Sequence, residues 1–327
     1  MISKKNSLGL FVACIALSGT VNAALAESVD SYPSKQIQII VPFAAGGGSD
    51  TLARLVGQQL SERWKQPVIV QNRPGADGNI GAQFVANAPK DGYTLMVLDI
   101  GTLTMGPVFY KQLAFDPLKD FSPITAMTFS PHTLVVNPNV PATNLAQLQE
   151  FVRAKPDSLN FASHNNSASL AGHKLSREAN LPMMQIPYKG AGAAMTDLIG
   201  GGVNVTLVSL LLASPHIKSG ALKPIAVASP KRMSSAPDIP TLIELGVPGY
   251  VMGSWQSILA PAGTPPAVVE KLQKEVADIL NQPEIKARLE SQGAEIVGNS
   301  PAVFAELLSS QSKAFRDTAA QVGIEAQ

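Results

Sequence analysis

Three stretches of the 327-residue chain carry residue types and spacings that could do chemistry, and in each the chemistry is the holding of an anion. The first is Pro42-Phe43-Ala44-Ala45-Gly46-Gly47-Gly48-Ser49-Asp50. Its three glycines free the backbone for positive φ and let a ligand approach the amides closely. Ser49 or Asp50 can then cap a helix that carries Leu52, Leu55, Val56 and Leu60 inward. Such a turn offers unpaired N–H groups at the positive end of a helix. A connection that merely needs glycine is the other reading of the same residues. The second stretch, Ser163-His164-Asn165-Asn166-Ser167-Ala168-Ser169, repeats the arrangement with hydroxyls and amides before a helix containing Leu170, Leu175 and Ala179. The third, Tyr188-Lys189-Gly190-Ala191-Gly192, precedes a helix with Met195, Leu198 and Ile199.

Other chemistries lack their parts. No Gly-x-Ser-x-Gly occurs, and His132, His164, His173 and His216 do not have the spacing of a zinc protease. The Gly46-Gly47-Gly48 loop has neither a Walker lysine nor the Gly-x-Gly-x-x-Gly spacing of a dinucleotide site. Packing or surface roles account for most histidines. His164 differs, because it stands in a hydroxyl-rich loop where it could donate a hydrogen bond to a ligand. Neither a cofactor nor a metal is expected.

The elements that must position these loops alternate. Ile37 to Val41 reads as a buried strand ended by Pro42, Pro67 to Gln71 as a second, and Tyr93 to Leu98 as a third, with helices between them. That pattern predicts an α/β lobe with a largely parallel sheet, whose ligands sit beyond the carboxyl ends of the strands. Phe43 to Asp50, Gly75 to Asn79 and Thr102 to Thr104 then share a rim. Phe115 to Ile124 is marked by prolines and has no pattern, so it suits the approach to a lobe crossing. Strands follow at Thr133–Val136, Leu159–Ala162, Gln185–Pro187, Val203–Leu207, which leads into the loop from Ser209, and Ile225–Ala228. Trp255 to Ala260 and helices opened by Thr264-Pro265 and Ser300-Pro301 are expected to support the outside of the first lobe.

Hydrophobic content of 45% against 15% charge supplies sizeable cores, and a chain of this length suits two lobes. Lysine and arginine total 25 against 24 acids, so no basic field exists for nucleic acid. Residues 1–26 have the form of a secretory signal: Lys4 and Lys5, an apolar run from Leu8 to Leu17, and Ala24-Leu25-Ala26 as the cleavage site. The run is shorter than the roughly 20 residues of a membrane span. Cleavage removes both lysines and leaves 23 bases against 24 acids, a net charge of −1. It also removes Cys14, the sole cysteine, so the mature chain has neither a disulfide nor a thiol nucleophile.

With those blocks in place the sequence resembles the Bug-type periplasmic receptors of tripartite tricarboxylate transporters. The resemblance is carried by Pro42 to Asp50, Asn72-Arg73-Pro74-Gly75-Ala76-Asp77-Gly78-Asn79-Ile80-Gly81, Asp91-Gly92-Tyr93-Thr94-Leu95, Pro187-Tyr188-Lys189-Gly190 and Leu259 to Pro265, in family order. It implies a two-lobed type II periplasmic binding protein of the Venus-flytrap kind, each lobe a mixed sheet flanked by helices. The first lobe would comprise 27–125 and 230–327, and the second 126–229. It further implies a monomer that closes on a small carboxylate and delivers it to membrane permease subunits. Carried over residue by residue, the resemblance points to Phe43, Ala45, Gly46, Gly47, Asp50 and Thr102 on one side of the cleft. Across it stand Ser163, His164, Ser167, Ser169, Gly190, Ala191, Val208 and Ser209.

One departure bears on the ligand. Where family members often read Val-Asp-x-Met-Phe-Asp, this chain has Val203-Asn204-Val205-Thr206-Leu207-Val208, so an aspartate that can pair with an amino group becomes Val208. A buried ammonium without a partner is costly. The expectation is therefore an amine-free acid, either an aliphatic dicarboxylate or a flat, terephthalate-like aromatic acid set against Phe43, Val208 and Leu210. A ligand sensor for a signalling receptor, or an enzyme on the same scaffold, are the alternative functions. Mass spectrometry of the exported protein should find Glu27 at its amino terminus. An acylated Cys14 there would instead mark a lipoprotein.

Overall fold

A computed structural model describes residues 29–322 except 157 and 189; the export signal with Cys14, and also Lys189, lie outside the described residues. Strand and helix alternate through β1 (Ile37–Val41), α1 (Gly48–Trp64), β2 (Val68–Asn72), α2 (Asn79–Ala86), β3 (Thr94–Asp99) and α3 (Gly101–Phe109). A long strand, β4 (Phe121–Val136), follows. After it come α4 (Leu145–Ala154), β5 (Asn160–Ser163), α5 (Asn166–Glu178), β6 (Met184–Pro187), α6 (Ala191–Gly200), β7 (Val205–Ser209), α7 (Leu210–Lys218) and β8 (Lys223–Val227). The chain ends with β9 (Gly253–Pro261), α8 (Pro266–Leu280), α9 (Pro283–Ser291), β10 (Glu295–Ile296) and α10 (Pro301–Val322).

The strands order as β2-β1-β3-β9-β4-β7-β5-β6, with β8 and β10 also on β4. β1 runs parallel to β2 and β3, β5 parallel to β6 and β7, whereas β9 and β4 are antiparallel insertions. Two mixed sheets therefore share one strand. The amino-terminal part of β4 pairs with β9 and its carboxyl-terminal part with β7 and β8. The sequence pattern places a strand only at Thr133–Val136, but the strand begins at Phe121. Every residue from Ile124 to Val136 is buried, so no alternation of polar and apolar residues marks it. Pro123 and Pro131 lie inside it, the first beside a break in register and the second at the passage between the sheets.

At that passage the backbone of His132 is paired on both sides. Its N–H donates to the Met252 carbonyl (2.8 Å), its carbonyl accepts from Ala228 N–H (2.7 Å), and Met252 N–H donates to Ala228 (3.0 Å). Between those last two residues, Leu242, Val247 and Tyr250 stay packed in the cluster that holds Leu134, Phe161 and Leu207.

Each sheet is covered on both faces. In the first lobe Ile37, Ile39 and Val41 meet Leu52, Val56 and Leu60 of α1 and Leu272 and Val276 of α8, while Ile40, Met96 and Leu98 meet Ala82, Val85, Phe304 and Leu308. In the second, Phe161, Val205 and Leu207 pack on Leu170 and Leu175 of α5, and Ala162 and Val208 on Ala194 and Met195 of α6. The carboxyl-terminal helix does more than support the first lobe. Its 22 residues span about 33 Å, and beyond Leu308 its Phe315 and Ala319 join the second lobe's cluster together with Met105 and Val108 of α3. Helix starts also differ from expectation at α8: Thr264 donates its hydroxyl to the Pro261 carbonyl (2.8 Å) and caps nothing, whereas Ser300 accepts from Val303 N–H (3.4 Å) at α10.

Docking of α5 on β5 depends on a missing side chain. A Cβ at Gly172 would stand 2.2 Å from Cε2 of the buried Phe161 ring. Gly172→Ala should therefore lower stability by about 1–3 kcal/mol, read as a lower urea midpoint at unchanged slope.

Candidate ligand-binding cleft

Six helices, α1 to α3 and α5 to α7, start just beyond the carboxyl ends of parallel strands, where ligands of such sheets bind. Each start exposes amides that something must satisfy. Three are closed by the chain's own side chains. Asn165 Oδ1 accepts from Ala168 N–H (2.8 Å) at α5, Ser209 Oγ from Leu212 N–H (3.4 Å) at α7, and Asp99 Oδ1 from Gly101 N–H (2.7 Å) at α3. At α2 the preceding Gly78 is covered, since a Cβ there would lie 3.2 Å from both Phe43 Cζ and Thr102 Cγ2. The two that remain belong to different lobes. α1 follows Gly47 and α6 follows Gly190, and neither has a side-chain cap.

Both starts are open as well as uncapped. A Cβ at Gly46, Gly190 or Gly192 would meet nothing within 4 Å, and one at Gly47 only the Ala44 carbonyl at 3.7 Å. Ala45, Gly46, Gly47 and Gly190 are exposed and Ala191 is half-buried. Gly46 and Gly190 adopt φ of 86° and 98°, which side chains other than hydrogen disfavour. Ser49 and Asp50 fall inside the first turn of α1 and are not its cap.

Their side chains hold the loop instead. Asp50, 3% exposed, accepts from Gly46 N–H (2.9 Å), from Arg54 Nε (3.0 Å) and Arg54 Nη2 (2.9 Å), and from Asn72 Nδ2 (2.9 Å). Asn72 also reaches the Phe43 carbonyl at 3.0 Å. The hydrogen bonds from Arg54, followed by those from Gly46 and Asn72, hold the carboxyl at about 2 against the opposing effect of burial. Ser49 Oγ donates to Gln256 Oε1 (2.6 Å), Gln256 Nε2 to Ser254 Oγ (3.0 Å), and Ser254 Oγ to Asp99. Burial pushes the Asp99 carboxyl up, while bonds from Ser254, Gly101 and Trp255 resist. The starts of α1 and α3 are thus tied together through β9.

In the second lobe Gln185 gathers the polar residues. Its Nε2 donates to Ser163 Oγ (2.7 Å) and Ser169 Oγ (3.1 Å), and its Oε1 pairs with His173 Nε2 (2.6 Å). Ser167 and His164 are half-buried. Tyr188 packs against the α6 cluster and donates its hydroxyl to Asp197 (2.8 Å). Val208 has no exposed surface and lies in that cluster; Leu210 is also buried. Neither presents a face to the cleft, and the hydroxyl of Ser209 is engaged at α7. The lobes touch at the rim, where Asn166 Nδ2 donates to Asp77 Oδ2 (3.3 Å). That carboxylate also takes the Tyr110 hydroxyl (2.8 Å), whose pKa burial and Asp77 raise to about 12, and the Asp77 carbonyl accepts from Thr102 Oγ1 (3.3 Å).

Sequence reasoning did not single out Asn72, Asp99, Gln185, Ser254 or Gln256. A usable signal existed for two of them, because Ser254 and Gln256 are polar at alternate positions of the strand, on either side of Trp255. It also passed over His132. Burial, and beyond it the nearness of His164, depress His132 to about 3; burial alone depresses His164 to about 4. Both imidazoles are therefore neutral at pH 7. Among the described residues no group of three or more His, Cys, Asp or Glu side chains is arranged to hold a metal, and no helix is long and apolar enough to cross a membrane.

Comparison with known proteins matches residues 52–323 to the family model described as the tripartite tricarboxylate transporter family receptor. BugT of Bordetella pertussis is 33% identical over 297 residues, covering 90% of this chain and 89% of that protein. Among solved structures, an R. palustris protein with adipate superposes with a TM-score of 0.82 at 32% identity, over 90% of this chain and 100% of that one. MatC from Rhodopseudomonas palustris with bound malate gives 0.76 at 32% identity, over 88% and 99%.

The ties of Asp50 have a pH signature. Its folded pKa is depressed, so its stabilisation is present above the unfolded value near 3.8 and is lost as pH falls toward 2. Arg54 is half exposed, which leaves about 1–2 kcal/mol after screening. Asp50→Asn should lose that amount at pH 7, and denaturant curves for variant and parent should converge as pH approaches 2.

Proposed function

The chain belongs to the tripartite tricarboxylate transporter family of receptors and has the two-lobed α/β fold of a periplasmic binding protein. On that premise we propose that it captures a small organic acid in the periplasm and delivers it to membrane permease subunits, binding without turnover. The observation that carries this reading is the pair of open, glycine-preceded helix starts, one in each lobe, when the other four at the strand ends are closed. A carboxylate placed between α1 and α6 accepts amide hydrogen bonds from both lobes, and it does so only when the lobes are together. Ligand therefore shifts the population toward closure. Charge-assisted hydrogen bonds of this kind suffice for micromolar affinity, about −8 kcal/mol.

We place the lobes at residues 29–131 with 253–322, and 132–252, because the chain pivots at His132 and remains packed on the second lobe until Met252. This reading puts the return crossing later than the sequence-based boundary at 230. The ligand is an acid without an amine. Support comes from the acids at the cleft: Asp50 is fully engaged, Asp99 accepts from Gly101 N–H and Ser254 Oγ, and Asp77 bonds Tyr110 and Asn166, so none is free to pair with an ammonium. This argument replaces the one from Val208, which is buried away from the cleft. Phe43, half-buried above Gly78, supplies an apolar wall for an aliphatic or aromatic body. Export by a cleaved signal completes the reading.

Gly47→Val tests the first-lobe half of the site, because its φ of −78° and open surroundings admit a side chain without strain. Calorimetry against a panel of dicarboxylates and aromatic acids should show affinity at least about tenfold weaker in the variant at an unchanged melting temperature, and glutamate and aspartate should not bind the parent. Equal affinity in the two proteins, or preference for an amino acid, would refute the assignment.

A further inference from the structure

On the receptor reading a ligand leaves through the mouth of the cleft, so the permease that takes it must sit against the rim. One part of that rim is the loop from Gly75 to Gly78, whose Asp77 accepts from Asn166 of the other lobe (3.3 Å). Two surfaces flank the loop. On one side stand Arg73 and Ile80. Arg73 Cζ lies 3.7 Å over the centre of the Phe84 ring, which holds the guanidinium in place, and among the described residues no carboxylate pairs with it. Ile80 packs over Gly75, where a Cβ would stand 2.5 Å from its Cδ1, yet it is 55% exposed. On the other side Tyr110, which donates to Asp77 (2.8 Å), opens a groove of about 580 Å³ walled by Pro107, Leu113, Phe115 and Pro117. Leu118 at its end is 42% exposed. Asp116 in the groove is taken up by Lys119 (2.9 Å) and Leu118 N–H (3.0 Å), whereas Lys111 is exposed and has no ion pair among the described residues.

Single exposed aliphatic side chains are ordinary on a protein surface. Here they stand beside an arginine backed by an aromatic ring, the composition of a protein-binding hot spot. Charge narrows the partner. Asp77 already accepts from Tyr110 and Asn166, so the charged groups left to meet a partner are the cations Arg73 and Lys111, and an acidic segment complements them. Two cations are too few for an anionic lipid surface, which is held by clusters of about four to eight. We propose that Arg73, Ile80, Tyr110 and Lys111, around the loop at Asp77, dock an acidic, apolar-bearing periplasmic loop of a permease subunit. This rests on the receptor reading above and adds the face that the permease engages. Because Asp77 bonds both Tyr110 and Asn166, the surface shares a residue with the contact that parting of the lobes breaks, and it is complete only in the closed form.

The test is binding of the mature protein to the host's tripartite tricarboxylate permease subunits in nanodiscs of anionic lipid, with empty discs as the control, measured without acid and with adipate or terephthalate. The parent should bind the permease discs and not the empty ones. Arg73→Glu and Lys111→Glu should each weaken that binding about tenfold and Ile80→Ser about fivefold, whereas Arg153→Glu, at an exposed position on α4, should leave it within about twofold. Calorimetric affinity for whichever acid the parent binds should stay within about twofold in every variant. Thermal melts check folding, and if Arg73→Glu does not fold, Lys111→Glu and Ile80→Ser carry the comparison. Undiminished docking of those variants, or equal binding to empty discs, would overturn the surface and leave the receptor reading intact. A parent that binds acid but not the permease would overturn the surface together with the delivery step, and one that binds neither would overturn the receptor reading as well.

Discussion

The molecule depends on one seam of backbone hydrogen bonds. Where β4 leaves one sheet for the other, a free loop would leave buried amides and carbonyls unpaired. Instead His132 is bonded through its N–H to Met252 and through its carbonyl to Ala228, and those two residues are bonded to each other. The outgoing and returning crossings are therefore a single patch of ladder. In the proposed closing motion, this paired patch of ladder is where the rotation would be taken up.

Two arginines of the first lobe near the glycine loop are engaged within the protein. Arg54 is paired with Asp50, and the Arg73 guanidinium lies 3.7 Å over the Phe84 ring. What remains is the partial positive charge of helix starts, and the side chains decide which of these are available. Asp99 at α3 is a resident carboxylate where an anion would otherwise sit; Asn165 and Ser209 act similarly at α5 and α7. Asp50 could have repelled a ligand at α1, but Arg54 cancels its charge and turns it into the clamp that shapes the glycine loop. Closing four starts is as much a part of the site as opening two.

Much of this was legible in the residues themselves. Glycine runs and the alternation of apolar segments mark β1, β2, β3 and the loops after them, because those features are local. The blocks from Pro42 to Gly81 identify the family on the same basis. What was hidden is what depends on partners far along the chain. Ser49 meets Gln256 across 207 positions, and that contact decides that Ser49 is a brace. The part of β4 before Thr133 escaped notice because burial on both faces removes its period, and its prolines read as breaks. Val208 looked like a ligand contact by alignment of motifs, yet strand alternation turns it toward α6 and turns Ser209 and His132 the other way.

Closure then has three contributions of unequal strength. The seam fixes the axis. Behind the cleft, α5 packs against α3 and α10, with Met105, Val108, Phe315 and Ala319 in the second lobe's cluster, so wide opening would expose apolar surface. At the mouth the side-chain bond between the lobes is the exposed Asn166–Asp77 pair at 3.3 Å, and such a contact adds little in water. The protein itself therefore limits how far the lobes part but barely favours the last step of their approach. On the proposed reading a carboxylate bridging α1 and α6 would act at that step, because its bonds to the second helix would exist only when the gap is closed. The population shift is set by this differential contact, so the two open helix starts must lie in different lobes for the molecule to respond to its ligand at all.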